Sequence, residues 1–463
     1  MDVSVDWQQE FAEWVQPFLA ALGHKTRRKW APVYLLGLLT PLERKSIQPM
    51  AQQLAPADAE QLHHFVAASG WETAPLESEL ARKAQHLVGG HEAYLIVDDT
   101  TLPKKGRCSV GVAPQYSGAV GKMTNCQTLV SLTLAQHEVP VCLALRLFLP
   151  HEWTSDPVRC AKVGIPAERL RYRTKGQMAI EELDRVRAAG VTFGVVVADA
   201  GYGISAEFRH ALSVRGLTWA VGIPRTQKVY PLTVQVHAAV LPLPLRGRPP
   251  MHPVPTADRA TVEQVLEALP LRQWRTVSWR RGTKGKLRAR FALVRVRAAD
   301  GATLAFGQHL PGEEVWLVGE RRTTGEQKYY LTNHPAQTPA RTLIAAIKAR
   351  WSCEQGHQHL KEELGLDHFE GRSWTGLHHH ALLTMIALAF LQHLRLGKVR
   401  RHALSLPPGP PPAPSVPAIR RALLRAFGQT GLCLRCHATF PALGSHAFAH
   451  EGASLVAAGI PHE

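Results

Sequence analysis

Two apolar runs in the first half of the chain each end in aspartate. Residues 93–97 (AYLIV) precede Asp98 and Asp99, and residues 193–198 (FGVVVA) precede Asp199. Because buried strands read as continuous apolar runs, we predict a strand at each place, with polar groups at its carboxyl end. Neighbouring strands of one sheet bring such carboxylates together. The pattern therefore predicts a site that binds positive charge.

A third acid, Glu354, lies within residues 338–365. This stretch begins with a Thr-Pro pair and ends with glycine, which predicts one helix of about seven turns. Its apolar residues form a stripe at spacings of three and four, and Glu354 falls where that stripe continues. A buried carboxylate without a partner is very unfavourable, so we expect a metal ion or a cation such as Arg350 or Lys361 beside it.

Three converging carboxylates repel one another, so their arrangement requires cations. Ligand sets made only of oxygen select Mg²⁺ or Mn²⁺. Two such ions a few ångströms apart stabilise the attacking and leaving oxygens of a displacement at phosphorus. We therefore predict that Asp98, Asp199 and Glu354 bind two ions and support phosphodiester cleavage and transfer. Asp99 stays open as the alternative first acid, because successive strand residues face opposite sides.

The charge of the chain indicates a polyanionic partner. Lysine and arginine number 54 against 37 acidic residues, a formal net charge of +17. Nucleic acid is the commonest partner of such a protein, although a basic enzyme without one has the same composition. Candidate DNA contacts are Arg27, Arg28 and Lys29 in a basic patch near the N-terminus, and Lys104 and Lys105 in a Gly-rich loop.

Membrane and secretion signals are missing from the pattern. No run of 18 apolar residues occurs, and the acidic start MDVSVDWQQEF lacks a signal-peptide core. The cysteines are mostly scattered singly, which is typical of reduced thiols. We therefore expect a cytoplasmic protein with no membrane partner.

The order of predicted elements gives the fold class. Three strands followed by helix-linked strands are typical of a ribonuclease H-like core, so we predict an α/β protein with a mixed sheet. The predicted domains are a helical, DNA-binding domain (1–88), the first part of the core (89–222), a mostly β insertion (223–335), the second part of the core (336–397), a Pro-rich linker (398–417) and a small C-terminal module (418–463).

The C-terminal module contains a candidate zinc site. Cys433 and Cys436 form one pair, and His446 and His450 form another. These are zinc-ligand types, but the gap between the pairs is shorter than in common zinc fingers, and the chain has 24 histidines. Both a structural Zn²⁺ and a chance cluster stay open.

Three segments resemble the motifs of DDE-type insertion-sequence transposases. IVDDTTLPKKGRCSVGVAPQY and VVADAGYG are similar to the first and second acidic motifs of that family. Arg350, Glu354 and Lys361 reproduce the Arg-x3-Glu-x6-Lys part of the signature that closes its active site. Members often have tyrosine three residues before the arginine, where this chain has Ile347. The resemblance spans roughly residues 90–375, with the motifs in the family's order.

The resemblance implies a function as well as a fold. It implies a ribonuclease H-like core with a β insertion, cleavage at element ends and strand transfer into target DNA. It also implies binding of terminal inverted repeats as a homodimer, with Arg350 and Lys361 on phosphates near the scissile bond. Two rival hypotheses stay open: a catalytically inactive, domesticated DNA-binding protein, and a ribonuclease H-like nuclease without strand transfer.

Overall fold

The computed structural model describes residues 7–55, 58–118, 120–237, 253–282, 285–303, 309–400 and 414–429. Most of the predicted Pro-rich linker lies outside these residues. So do the four candidate zinc ligands, Cys433, Cys436, His446 and His450.

Helices make up the N-terminal part, as predicted. Those described before residue 89 are α1 (Trp7–Leu22), α2 (Lys25–Leu39), α3 (Ile47–Leu54), α4 (Ala59–Ala67) and α5 (Ala74–Val88). Their apolar faces pack on a later core helix; the rings of Phe11 and Phe390, for example, lie 5.3 Å apart. The basic patch forms the first turns of α2.

A large mixed sheet forms the centre of the described structure. Its strands, with one separate two-stranded pair (β8 and β9), are β1 (Tyr94–Pro103), β2 (Ala113–Ser117), β3 (Lys122–Gln136), β4 (Val139–Leu147), β5 (Val195–Ala198), β6 (Trp219–Ile223), β7 (Lys228–Pro231), β8 (Val236–His237), β9 (Val254–Pro255), β10 (Ala260–Thr261), β11 (Arg275–Gly282), β12 (Gly285–Ala298), β13 (Glu314–Arg321) and β14 (Gln327–Thr332). The main path runs β10-β7-β12-β13-β14-β6-β5-β1-β3-β2. Strands β1, β5 and β6 are parallel neighbours. The predicted mixed α/β class is confirmed.

Most of the remaining helices pack on this sheet or on one another, as α15 does on α14. They are α6 (His151–Thr154), α7 (Pro157–Lys162), α8 (Lys175–Ala188), α9 (Ala200–Gly203), α10 (Ala206–Val214), α11 (Val262–Glu267), α12 (Ala340–Lys348), α13 (Trp351–Gln358), α14 (Trp374–Arg400) and α15 (Val416–Gln429). Helix α14 is long and apolar enough to cross a bilayer by composition, but 89% of its most apolar window is buried inside the protein. That burial is typical of a core helix.

Two strand predictions were wrong in detail. The first strand was predicted to end before Asp98, but β1 continues through it to Pro103 because its antiparallel pairing with β3 persists. The Gly-rich stretch after β1 was predicted as a loop, but it contains β2, which pairs with β3. Apart from the separate pair β8 and β9, the strands of the predicted insertion join the same sheet, since β14 pairs with β6.

The predicted seven-turn helix is broken. Helix α12 ends at Lys348, α13 begins at Trp351, and residues 359–363 form a π-helix. The two α-helices pack on different patches: α12 contributes Ile344 to a cluster with strands of the insertion, and α13 contributes Cys353 to a cluster with β1 and β5. A straight helix does not follow both patches of a twisted sheet. The predicted stop is confirmed, because Gly365 is left-handed with φ 68°.

Candidate active site

Asp98 and Asp199 lie side by side at the point where parallel pairing ends. The last parallel pair of β1 and β5 joins Val97 to Ala198, and each aspartate is the next residue of its chain segment. Asp199 then caps α9, its Oδ1 accepting a hydrogen bond of 3.2 Å from the backbone N–H of Tyr202. The predicted meeting of these two carboxylates follows from the strand register.

Electrostatics support this proximity. The pKa of Asp98 is raised to about 6, mainly by burial, with the negative charge of Asp199 adding to the effect and Arg350 opposing it. The side chain of Asp98 is only 12% exposed. A buried carboxylate next to a second one is stabilised by any cation that contacts both.

Arg350 connects the third acid to this pair. Its Nη1 donates a hydrogen bond of 2.6 Å to Oδ2 of Asp98, and its Nη2 donates to the carboxylate of Glu354. The expected cationic partner of Glu354 is therefore Arg350. The premise of burial was wrong, because the Glu354 side chain is 49% exposed. Charge pairing with both acids raises the pKa of Arg350, against the effect of burial.

The donor set fits a divalent cation in kind, though not as a closed triad. Asp98, Asp199 and Glu354 offer only carboxylate oxygens, which suit Mg²⁺ or Mn²⁺. Among the residues that the structure describes, no three His, Cys, Asp or Glu side chains stand close enough together to hold one ion. Two of the predicted ligands, Asp98 and Asp199, are neighbours. The third, Glu354, is linked to Asp98 by the guanidinium of Arg350, which contacts both.

Asp99 faces a different set of partners. Its Oδ2 lies 2.5 Å from Nζ of Lys175, and its Oδ1 accepts a hydrogen bond of 2.5 Å from the Tyr202 hydroxyl. Burial raises its pKa, while Lys175 and Tyr202 oppose that rise. Because successive side chains of β1 face opposite sides, Asp98 pairs with Arg350 and Asp99 pairs with Lys175.

Tyr202 and Lys175 were not singled out from the sequence. The signal for Tyr202 was its position three residues after Asp199, within VVADAGYG. Lys175 is the first residue of α8, after the cap Thr174. It pairs with Asp99, 76 positions away, and no local sequence pattern indicates such a contact.

A buried polar network holds α13 against the sheet behind Asp98. The hydroxyl of Ser131 donates to the backbone carbonyl of Asp98 at 3.0 Å and contacts Nε2 of His357 at 2.9 Å. Sγ of Cys353 lies 3.3 Å from the Thr133 hydroxyl. Burial lowers the pKa of His357 to about 3, so its ring is neutral at physiological pH. The network fixes the helix that carries Glu354.

Lys361 and Lys104 share an acidic neighbour. Asp367 interacts electrostatically with both lysines, and burial lowers the pKa of each. Nζ of Lys104 also donates to the backbone carbonyl of Phe369 at 2.7 Å, whereas Lys105 is exposed. Of these candidates, Lys105 has the freest approach for a phosphate.

The N-terminal basic residues lie at the start of α2. Nη2 of Arg27 reaches the Gly70 carbonyl at 3.4 Å, Nζ of Lys29 lies 4.6 Å from the Trp30 ring centre, and Arg28 is exposed. Cations at a helix N-terminus oppose its macrodipole, so they do not stabilise α2. An anionic partner would relieve this repulsion.

Comparison with known proteins gives three findings. A family model described as DDE superfamily endonuclease matches residues 17–286. The probable transposase for insertion sequence element IS701 of Microchaete diplosiphon is 26% identical over 225 residues, 48% of this chain and 54% of that protein. A cryo-EM structure of the piggyBac transposase synaptic complex with hairpin DNA aligns at a TM-score of 0.41 and 8% identity, covering 92% of this chain and 78% of that one.

The extent of these matches is relevant to the site. The alignment spans about half the length of the curated relative. The family match contains Asp98, Asp99 and Asp199 and ends before Glu354.

Proposed function

The chain belongs to the DDE superfamily endonuclease family, and on that basis we propose that it is a DNA transposase that cuts element ends and joins them to target DNA. The observation that carries the proposal is the juxtaposition of Asp98 and Asp199, with Arg350 linking Glu354 to Asp98. Endonucleases of this family generally use divalent metal ions. The 26% identical relative, named as a probable insertion-sequence transposase, supports the same reading.

Asp98, Asp199 and Glu354 are the proposed metal ligands. Two bound Mg²⁺ or Mn²⁺ ions would supply charge stabilisation to the attacking and leaving oxygens at phosphorus. For Glu354 to become a ligand, Arg350 must release it, because its carboxylate now contacts the guanidinium. The released Arg350 is then free to bind a DNA phosphate, with the bidentate geometry that guanidinium groups favour.

The proposed DNA contacts combine this site with basic residues elsewhere. Lys361, Lys104 and Lys105 would bind phosphates near the scissile bond. Arg27, Arg28 and Lys29 would bind DNA through the N-terminal helices. The partners proposed are terminal inverted repeats and target DNA, held by a homodimer that brings two ends together. A bacterial cytoplasm, at the nucleoid, is the matching location.

The finer architecture also belongs to this proposal. We assign the ribonuclease H-like topology, the six-part division with boundaries at 88, 222, 335, 397 and 417, and the β insertion to this chain as hypotheses. A structural Zn²⁺ at Cys433, Cys436, His446 and His450 stays a prediction, and a zinc assay on the purified protein tests it.

One observation favours a second candidate. Arg350 already forms ion pairs with both Asp98 and Glu354, an arrangement that suits a protein that binds DNA without cutting it. In that reading the domesticated descendant keeps the fold and the basic surface. A nuclease without strand transfer shares all the same residues.

A plasmid assay separates the three. The full-length protein is incubated with MgCl₂ or MnCl₂ and a plasmid that carries the flanks of its coding region as candidate ends. Excision and insertion support the proposal, cutting alone supports a nuclease, and retardation in a gel without cutting supports the inactive protein. The control is an Asp98→Asn, Asp199→Asn protein. If it cuts as well as the natural chain, the assigned site is wrong.

A further inference from the structure

A basic segment borders the Asp99 side of the site and has no role in the chemistry described so far. It comprises residues 169–175, RLRYRTK, between the short 3-10 turn Ala167–Arg169 and helix α8. Four of its seven residues are cationic. We propose that this basic segment is a contact surface for the phosphate backbone of the DNA next to the scissile bond.

The position of the segment supports this assignment. Nζ of its last residue, Lys175, lies 2.5 Å from the carboxylate of Asp99. Asp99 directly follows Asp98 in the chain. DNA whose scissile phosphate approaches Asp98 and Asp199 must continue over one of the surfaces beside them. The basic segment is one such surface, because its Lys175 end contacts Asp99.

The charge of the segment is only partly balanced, because its four cations have two acidic partners, Asp99 for Lys175 and Glu181 for two arginines. Arg169 and Arg173 share one acid, Glu181, at 3.7 and 2.8 Å. Within the described residues no carboxylate lies within 4.0 Å of Arg171, and its side chain is exposed. Exposed arginines in excess of their acidic partners are the electrostatic footprint of nucleic-acid binding.

The shape of the surface fits a polyanion that lies along it. Arg171 and Arg173 line two clefts, one of about 510 Å³ and one of about 580 Å³, so they form a ridge between them. Four further arginines line these clefts, and one of them, Arg169 in the first, shares Glu181 with Arg173. Arg146 and Arg185 in the first are paired with buried glutamates, and Arg215 in the second is paired with Asp184. Among the described residues, the ridge arginine without a carboxylate within 4.0 Å is therefore Arg171.

The backbone of the segment is held in place before any partner binds. Tyr172 stacks on His151, with ring centres 5.0 Å apart, and meets Phe148 edge-on at 6.3 Å. At the end of the segment, Thr174 and Gln177 form a capping box with α8. A preorganised surface loses less entropy on binding, so these contacts favour a stable interface.

The test is salt-dependent DNA binding, and it rests on the proposed function only in that the partner is DNA. Backbone contacts are independent of sequence, so a short fluorescein-labelled duplex of arbitrary sequence is a sufficient probe. Anisotropy gives the dissociation constant over a range of salt concentrations for the full-length protein, Arg171→Ala, and Arg171→Ala with Arg173→Ala. Arg187→Ala is the matched control, because Arg187 is exposed at the other end of α8.

Each lost phosphate contact lowers the slope of log K against log salt by about 0.9. We therefore expect a drop of about 0.9 for the single variant and about 1.8 for the double variant, with no change for Arg187→Ala. Slopes equal to that of Arg187→Ala overturn the proposal. So does a change in oligomeric state without a change in slope, which would assign the surface to a second copy of the chain.

Metal-dependent nicking by the unmodified protein is measured in parallel. If the protein nicks DNA but the salt slopes of the variants are unchanged, the basic segment is not a DNA contact and the proposed function stands. Altered slopes without nicking by any form keep the segment as a DNA contact and remove the transposase function.

Discussion

Nη1 of Arg350 lies 2.6 Å from Oδ2 of Asp98, although 252 positions separate the two residues. The same guanidinium binds Glu354 one turn further along the chain. One cation thus bridges two of the three acids proposed to bind metal, and its charge offsets part of theirs. A divalent ion that uses both carboxylates competes with Arg350.

Removal of this competitor should tighten metal binding. Two unit charges about 4 Å apart interact by roughly 4 kcal/mol at an effective dielectric of 20, and partial exposure of Arg350 reduces that value. We expect Arg350→Ala to bind Mn²⁺ about tenfold more tightly, roughly 1.4 kcal/mol, while DNA nicking falls. Calorimetry on the protein without DNA, well above the pKa of Asp98, measures the affinity.

Arg82→Ala is the control for that experiment. Arg82 pairs with Glu79 at 2.7 Å on α5, so its loss also breaks an arginine–carboxylate pair. Its Mn²⁺ affinity should equal that of the natural protein. Weaker Mn²⁺ binding by Arg350→Ala would show that the guanidinium supports the ion site instead of competing for it.

Asp98 and Asp99 should differ in the size of their effects. Asp98 neighbours Asp199 and contacts Arg350, whereas Asp99 supports the site through Lys175 and Tyr202. Loss of a supporting residue typically costs about 10–100-fold in activity. We expect Asp99→Asn to fall in that range and Asp98→Asn to lose more than 100-fold in metal-dependent nicking. The reverse order would make Asp99 the first ligand.

Much of the site was predictable because it depends on local patterns. Apolar runs identified β1 and β5, and because the two strands pair in parallel, Asp98 lies beside Asp199. Helical spacing identified Arg350 as a partner of Glu354, since residues four apart share a face. The helical pair needs only the period of the element and the position of the charges, whereas the two aspartates also need the two strands to be neighbours in one sheet.

What the sequence did not predict depends on tertiary packing. The break between α12 and α13 follows from two separate patches of the sheet, which no local signal marks. The extension of β1 past Asp98 depends on pairing with β3. Contacts of Asp99 with Lys175 and Tyr202 join residues far apart in sequence, and only the folded topology brings them together.

The Tyr202 hydroxyl should be needed for activity more than for stability. It donates to Asp99 from a buried ring, and Tyr202→Phe leaves that acid with Lys175. We expect nicking to fall about 10–100-fold and the free energy of unfolding to fall by about 1–3 kcal/mol. Urea unfolding and plasmid nicking give the two values.

Tyr230→Phe is its matched control. The hydroxyl of Tyr230 donates to the His309 carbonyl at 2.8 Å, and the ring is equally buried. Its removal should cost similar stability and leave nicking unchanged. Equal losses of nicking in both variants would mean that Tyr202 acts only through general stability.

The link between the N-terminal helices and the sheet should weaken in acid. Arg146 on β4 donates hydrogen bonds of 2.7 and 2.5 Å to Glu77 on α5, and one of 2.7 Å to Glu182 on α8. Burial alone raises the pKa of Glu77, but Arg146 and Arg185 outweigh it and lower the pKa to about 2. Because the folded protein holds this carboxylate charged, its contribution is present above the unfolded pKa near 4.5 and is lost as the pH falls toward 2. The shift corresponds to about 3 kcal/mol.

Glu77→Gln should therefore lower the free energy of unfolding by about 3 kcal/mol at neutral pH and by much less near pH 3. Urea unfolding of the two proteins across this range measures the difference. Glu79→Gln, which removes a carboxylate on the same helix whose partner Arg82 is 54% exposed, should cost less than about 1 kcal/mol at every pH. If the loss from Glu77→Gln is the same at both ends of the range, packing around residue 77, and not its charge, joins α5 to the sheet.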